Sequence, residues 1–201
     1  MKIGCPTEIK PQEFRVGLTP NAVLEAVARG HEVIVQSGAG RGAGFEDESY
    51  VAAGAALAET ASEIFDAADM IVKVKEPQAA ERKMLREGQI LFTYLHLAPD
   101  PDQTHDLLES GCTAIAYETV TDAQGGLPLL APMSEVAGRL APQVGAWTLQ
   151  KADGGRGVQM RRARSGHRRR WRGHACRPDR GGYGRLCHGS GPFASASQVS
   201  R

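Results

Sequence analysis

Residues 69–77 read DMIVKVKEP, a short apolar run that ends in two lysines and is closed by Pro77. A run of this length bounded by a proline suits a strand buried inside a sheet. Its neighbours repeat the theme. Before it, TASEIFDAA (60–68) predicts a helix with Thr60 as N-cap and Glu63 in the capping-box position. After it, AAERKMLREG (79–88) predicts a helix, QILFTYLHL (89–97) a strand, PDQTHDLLESG (101–111) a helix and CTAIAYETV (112–120) a strand. Upstream, MKIGC (1–5) and HEVIVQS (31–37) predict strands, with helices over NAVLEAVARG (21–30) and DESYVAAGA (47–55). GGLPLL (125–130) turns the chain, and PMSEVAGRLAPQVGAWTLQ (132–150) predicts a long helix with Pro142 inside it. Strands alternating with helices of about ten residues argue βαβ units and a mostly parallel α/β sheet.

Charge divides the chain. Residues 1–158 carry 13 Lys and Arg against 22 Asp and Glu, whereas residues 159–201 carry 11 Arg and a single acid, Asp179. An acidic body gives no reason to expect a nucleic-acid or membrane partner. The four cysteines form no CxxC and no zinc spacing. His167, His174, Cys176, Cys187 and His188 match no closed zinc site, so no metal is expected. With no signal peptide and no apolar run long enough for a membrane, the expectation is a cytoplasmic protein with free thiols.

Ligands of parallel α/β folds sit beyond the C-terminal ends of the strands. That rule selects Arg15 after the first strand, Lys75 at the end of MIVKVK and His96 at the end of LFTYLH. A guanidinium grips a carboxylate with two hydrogen bonds, a lysine adds a point charge and a histidine moves a proton near neutral pH. Together they suit a small α-keto or α-amino acid. Read singly, each is equally a surface charge or a satisfied polar residue. GAGRGAG (38–44) has GxGxxG only in letters, because the next helix starts late and no acid closes a following strand. It reads as a flexible loop, not a phosphate cradle.

The segments EIKPQEFRVGLTP (8–20), VKVKEP (72–77), GQILFTYLHLA (88–98), AYETV (116–120) and PLLAPMSEVAGRLAPQVGA (128–146) closely resemble the N-terminal half of bacterial alanine dehydrogenases. The transhydrogenase alpha subunit and saccharopine-type dehydrogenases share looser versions of these motifs. The resemblance implies a Rossmann-like substrate domain over residues 1–130, followed by an inter-domain helix and the start of an NAD-binding domain over 131–158. It implies NAD-dependent oxidation of L-alanine to pyruvate and ammonia by a homo-hexamer. It also implies roles: Arg15 on the substrate carboxylate, Lys75 on the substrate oxygen, His96 as acid–base, Met133 over the substrate and Ser134 toward the cofactor.

In this family the cofactor domain begins just after position 158, where this sequence has its Arg-rich tail instead. Translated back to codons and shifted forward by one base, the tail's restricted positions become Gly at Trp171, Thr or Met at His174 and Ala or Val at Cys176. With family-like choices at the free positions, the shifted frame reads strand, GxGxxG, helix, strand and acid in order. The expectation is a frame slip between about Gly157 and Arg164, a disordered tail over 159–201, weak assembly and no turnover by the 201-residue chain. An Arg-rich RNA-binding arm with Trp171 as a stacking residue is the competing reading.

Overall fold

A computed structural model describes residues 1–157, together with the backbone of residues 176–178 and 185–187. The expectations for the Arg-rich tail, disorder included, fall otherwise outside the described residues. The chain divides into two compact units, Met1–Thr121 and Asp122–Arg201.

The first unit is a six-stranded sheet in the order β3-β2-β1-β4-β5-β6, with every neighbouring pair parallel. The strands are β1 (Lys2–Cys5), β2 (Glu32–Gln36), β3 (Ala56–Ala58), β4 (Met70–Val72), β5 (Ile90–Thr93) and β6 (Thr113–Ala116). Between them run α1 (Pro20–Ala28), α2 (Asp47–Ala52), α3 (Ala61–Ala67), a single turn α4 (Ala79–Arg82) and α5 (Pro101–Ser110). The chain works outward from β1 through β2 to β3, then returns to β4 on the other side of β1. The gap between β1 and β4 is therefore the topological switch point, where a doubly wound sheet opens a crevice.

Side-chain alternation builds two cores, one on each face. Ile3, Cys5, Val33, Val35 and Val72 pack with Val23 of α1 and Tyr50 of α2. Ile71 and Leu91 pack with Ile64 and Phe65 of α3 and Leu107 of α5, and Ile34 joins them. Val33 and Ile34, like Ile71 and Val72, point to opposite faces, as the strand period of two requires.

Several elements differ from the sequence reading for local reasons. β3 was not expected: AALA has no strand-forming side chains, and its register against Ile34–Gln36 comes from pairing alone. The strand expected over 69–75 stops at Val72, because the amide of Val74 turns to the Glu8 carboxylate, 2.6 Å away. The helix expected over 79–88 is one turn, with Glu81 drawn into the interior. At α3, Thr60 accepts from the Glu63 amide at 3.3 Å, but Glu63 reaches the amide of Glu59, not that of Thr60. On α1 only Val23 is fully buried, and Leu24 is exposed.

The second unit opens with a turn in which Asp122 accepts from the amides of Gln124 and Gly126. It continues into the long helix α6 (Ala131–Thr148), which runs through Pro142. Short strands β7 (Cys176–Pro178) and β8 (Arg185–Cys187) pair antiparallel. Val136, Leu140, Val144 and Trp147 of α6 are all exposed. No helix among the described residues is long and apolar enough to cross a membrane. No cluster of three His, Cys, Asp or Glu that could hold a metal occurs among them.

Candidate functional site

Arg15, Lys75 and His96 follow β1, β4 and β5, which are consecutive across the sheet. The three segments therefore end on the same edge, spanning the switch point and the strand beside it. Each is held by a carboxylate that the sequence reading did not single out.

The long loop carrying Arg15 is stitched onto the end of β4. Glu8 accepts from the amides of Val74 at 2.6 Å and Lys75 at 3.4 Å, and Lys10 pairs with Glu76. Gly17 lies flat on the strand end, where a Cβ would sit 2.6 Å from the Val72 carbonyl oxygen. Below this junction Lys73 is fully buried, with Nζ 2.6 Å from Glu81 Oε1 and 3.3 Å from Glu8 Oε2. A buried ammonium needs such partners, because an isolated one costs several kcal/mol.

Arg15 itself is gripped by Glu13. Its Nε donates to Glu13 Oε1 at 2.7 Å, its amide to the same oxygen at 3.0 Å, and Nη2 to Oε2. These bonds fix the plane of the guanidinium fork, which has five donors in all. The Arg15 hydrogen bonds hold the Glu13 carboxyl below its usual range, against the effect of burial, and Lys75 adds to the lowering. Lys75 thus lies within electrostatic reach of the Glu13–Arg15 pair. Arg15 is in turn held above its ordinary value, first by Glu13, and Tyr94 and Glu8 add to that. Tyr94 is two residues before His96, which ties the Arg15 loop to the end of β5.

β5 is joined to the Lys75 segment by its backbone and a hydroxyl. Tyr94 N donates to Val74 O at 3.2 Å, and Thr93 Oγ1 donates to Lys75 O at 2.8 Å. Tyr117, at the end of β6, stacks edge-on against Phe92 at 4.2 Å and Tyr94 at 4.8 Å. Burial pushes the Tyr117 hydroxyl well above its ordinary value, so it stays protonated. Next to it, Glu118 accepts from the amides of Leu95 at 3.1 Å and His96 at 2.7 Å. His96 is exposed and sits at φ 48°, in the left-handed region that non-glycine residues rarely occupy.

The glycine-rich segment is a built turn, not a free loop. Gly38 and Gly44 take positive φ, and Arg41–Ala43 forms a 3-10 turn. Asp47 accepts from the Gly38 amide at 2.8 Å and from the Ser37 hydroxyl at 2.7 Å. That amide is the donor a phosphate would need. Gly42 packs against the backbone of Phe14, where a Cβ would lie 2.6 Å from its carbonyl oxygen. The turn thus braces the Arg15 loop from behind.

Met133 and Ser134 lie in the first turn of α6, in the second unit, with the Ser134 hydroxyl 3.4 Å from the Leu130 carbonyl. Sequence reasoning missed Glu8, Glu13, Tyr94 and Glu118. All four lie inside the motifs EIKPQEFRV, TYLH and AYETV, but as acids and a tyrosine beside basic residues they carried no spacing signal of their own.

A parallel sheet of order 3-2-1-4-5-6, with Arg15, Lys75 and His96 following strands at and beside its switch point, defines the class: a doubly wound α/β domain. The pattern of the family "Alanine dehydrogenase/PNT, N-terminal domain" matches residues 4–137, and the chain belongs to that family. Alanine dehydrogenases of Mycobacterium tuberculosis and Halomonas elongata are 59% and 58% identical to it over 160 residues, 80% of this chain and 43% of each relative. The alanine dehydrogenase of Bacillus subtilis is 51% identical over 160 residues. The chain thus spans less than half the length of the curated relatives it matches. Among solved structures, an L-alanine dehydrogenase superposes with a TM-score of 0.72 at 52% identity, covering 79% of this chain and 44% of the other. A transhydrogenase from Sinorhizobium meliloti superposes with a TM-score of 0.66 at 26% identity, covering 73% of this chain and 44% of the other.

Proposed function

We propose that the chain is the substrate half of an NAD-dependent L-alanine dehydrogenase, which converts L-alanine, NAD and water to pyruvate, ammonia and NADH. The observation that carries this reading is the arrangement of Arg15, Lys75 and His96 on consecutive strand ends at the switch point, in a chain 51% to 59% identical to alanine dehydrogenases.

NAD would accept the hydride from Cα. The first unit does not fit a dinucleotide. The turn after β1 has Pro6 and Glu8 where a glycine cradle is needed, and Asp47 occupies the Gly38 amide. Ser134 is the residue of this chain proposed to meet the cofactor, and Met133 the one proposed to cover the substrate.

The chain's own residues bind the substrate and move its protons. Arg15, oriented by Glu13, takes the substrate carboxylate. Lys75 steadies the oxygen on C2, where negative charge develops as the carbinolamine hydroxyl gives up its proton. His96 takes the proton from the attacking water, returns it to the amine of the carbinolamine, and then takes the hydroxyl proton as ammonia leaves and the ketone forms. The assembled enzyme is proposed to be a homo-oligomer, as the family resemblance implies, and to be cytoplasmic.

Residues 159–201 are proposed to be a shifted reading frame. Sequencing the gene across codons 157–165 tests this; AGA or AGG codons across Arg168 to Arg172 overturn it. Calorimetric titration of the purified chain with pyruvate tests the site. Binding that Arg15→Ala weakens about 10- to 100-fold, the worth of a charge-assisted pair, supports the reading. Equal binding by both chains rejects it. With the frame restored, the gene product is expected to oxidise L-alanine with NAD, and His96→Ala to lower its kcat more than it raises KM.

A further inference from the structure

We infer that Glu118 and Gln103 are positioning residues that lock one peptide unit, Leu95–His96, and so set the direction from which His96 meets the substrate. The inference rests on the reading of His96 as the acid–base.

The Leu95–His96 peptide is held at both ends by side chains from other elements. Its N–H, that of His96, donates to Glu118 Oε1 at 2.7 Å. Its carbonyl, that of Leu95, accepts from Gln103 Nε2 at 2.7 Å. The preceding amide, Leu95 N, donates to the same Glu118 oxygen at 3.1 Å. Leu95 is 2% exposed and anchored in the core, so the segment cannot slide along the strand axis.

The two side chains that clamp it are themselves anchored. Gln103 is fully buried in α5, and its backbone N–H donates to Oδ1 of the N-cap Asp100 at 2.9 Å. Glu118 follows Tyr117, whose ring is wedged edge-on between Phe92 and Tyr94 of the same β5 segment. The consequence is visible at the next dihedral: His96 has φ 48°. A β-carbon disfavours that conformation, and it persists only where the surroundings over-determine it. Two amides on one carboxylate oxygen, with the intervening carbonyl tied to a buried glutamine, supply that determination. With φ released, His96 would relax to the extended region and swing its imidazole away from the edge it shares with Lys75.

The roles divide accordingly. Arg15 is set by Glu13 and the Lys75 backbone by Glu8, so loss of Glu118 disturbs the proton-transfer group and spares the residues proposed to grip the substrate. Both amides make their shorter bonds to Oε1, and Leu95 N lies 3.3 Å from Oε2 as well. A glutamine carbonyl in the Oε1 position keeps the two shorter bonds, so Glu118→Gln is expected to keep the geometry where Glu118→Ala loses it.

The test uses the isotope-labelled 201-residue chain and nuclear magnetic resonance. The three-bond HN–Hα coupling of His96 reports its φ directly. In Glu118→Ala the coupling is expected to move to an extended-chain value, and the Leu95 and His96 amides to exchange about tenfold faster or more. In Glu118→Gln both are expected to stay as in the wild type. An unchanged coupling and unchanged exchange in Glu118→Ala overturn the inference. Gln103→Leu releases the other end of the same peptide and is read identically, so a Glu118→Ala chain that fails to fold does not end the test. Pyruvate titration separates positioning from general support. The His96 imidazole resonances are expected to respond to pyruvate in the wild type and in Glu118→Gln, and not in Glu118→Ala, while affinity stays within about threefold. An affinity that falls along with the imidazole response overturns the positioning role. A wild-type chain that shows no response to pyruvate instead rejects the functional reading, and the coupling constant still decides whether the clamp exists.

Discussion

Lys73 Nζ lies 2.6 Å from Glu81 Oε1, and both side chains are shut off from solvent. Glu8 completes a triad at 3.3 Å and ties the pair to the segment after β4 by accepting from Val74 N. The triad joins the loop before Arg15, the segment bearing Lys75 and the capping turn of α4, so it fixes the site from beneath.

Removing its cation strands two buried carboxylates. Lys73→Met is expected to cost about 3–5 kcal/mol of unfolding free energy. Adding Glu8→Gln and Glu81→Gln to that change is expected to recover most of the loss, since the stranded charges are then gone. Urea unfolding of the three chains checks both statements.

The same triad sets a pH dependence. Burial is the largest influence on Glu8 and raises its carboxyl above the ordinary 4.5, against Lys73 and the Val74 amide, which lower it. A raised carboxyl holds its proton more tightly folded than unfolded, so its stabilising contribution is complete below the unfolded value. That contribution fades as pH climbs from about 4.5 through the folded value. The wild type is therefore expected to lose stability relative to Glu8→Gln as pH rises above about 4.5. Urea midpoints measured from acid to neutral pH show the trend, and a relative gain by the wild type contradicts it.

Gly42→Ala acts on the site from behind the Arg15 loop. Its Cβ would fall 2.6 Å from the Phe14 carbonyl oxygen and 3.1 Å from its Cα, neither of which can rotate away. The backbone before Arg15 must shift, at a cost of about 1–3 kcal/mol. The chain is expected to stay folded by circular dichroism while calorimetry with pyruvate shows an affinity loss of about tenfold, because a shifted guanidinium no longer meets the carboxylate in plane.

Cys5 is fully buried in β1, and burial pushes its thiol up to about 11. Cys112 is half-buried. At pH 8 iodoacetamide needs thiolate and access, so Cys5 is expected to remain unmodified in the folded chain while Cys112 reacts. In urea both are expected to label. Mass spectrometry of the two tryptic peptides reports the difference, and rapid labelling of folded Cys5 refutes its burial.

Much of the architecture was legible from local pattern. Apolar runs closed by proline or glycine located β1, β2, β4, β5 and β6, and Thr60 and Pro101 marked helix starts that the structure contains. The rule that ligands gather at strand C-terminal ends selected Arg15, Lys75 and His96 without any contact information. β3 escaped because a single leucine between two alanines carries no periodic signal, and only an existing edge gives the segment a partner.

The sequence by itself determined the alternation of strand and helix, and with it a parallel sheet whose loops carry basic residues to one edge. Only the tertiary structure decided which lysine is which. In an uninterrupted strand Lys73 and Lys75 would share a face, two residues apart. Lys73 is buried against Glu81 and Glu8, the second distant in sequence, while the amides of Val74 and Lys75 go to the same Glu8 and Lys75 stands at the strand end. The positive φ of His96 has the same origin: the carboxylate and the amide that impose it come from the turn after β6 and from α5, and a backbone dihedral set by distant hydrogen bonds leaves no trace in the local sequence.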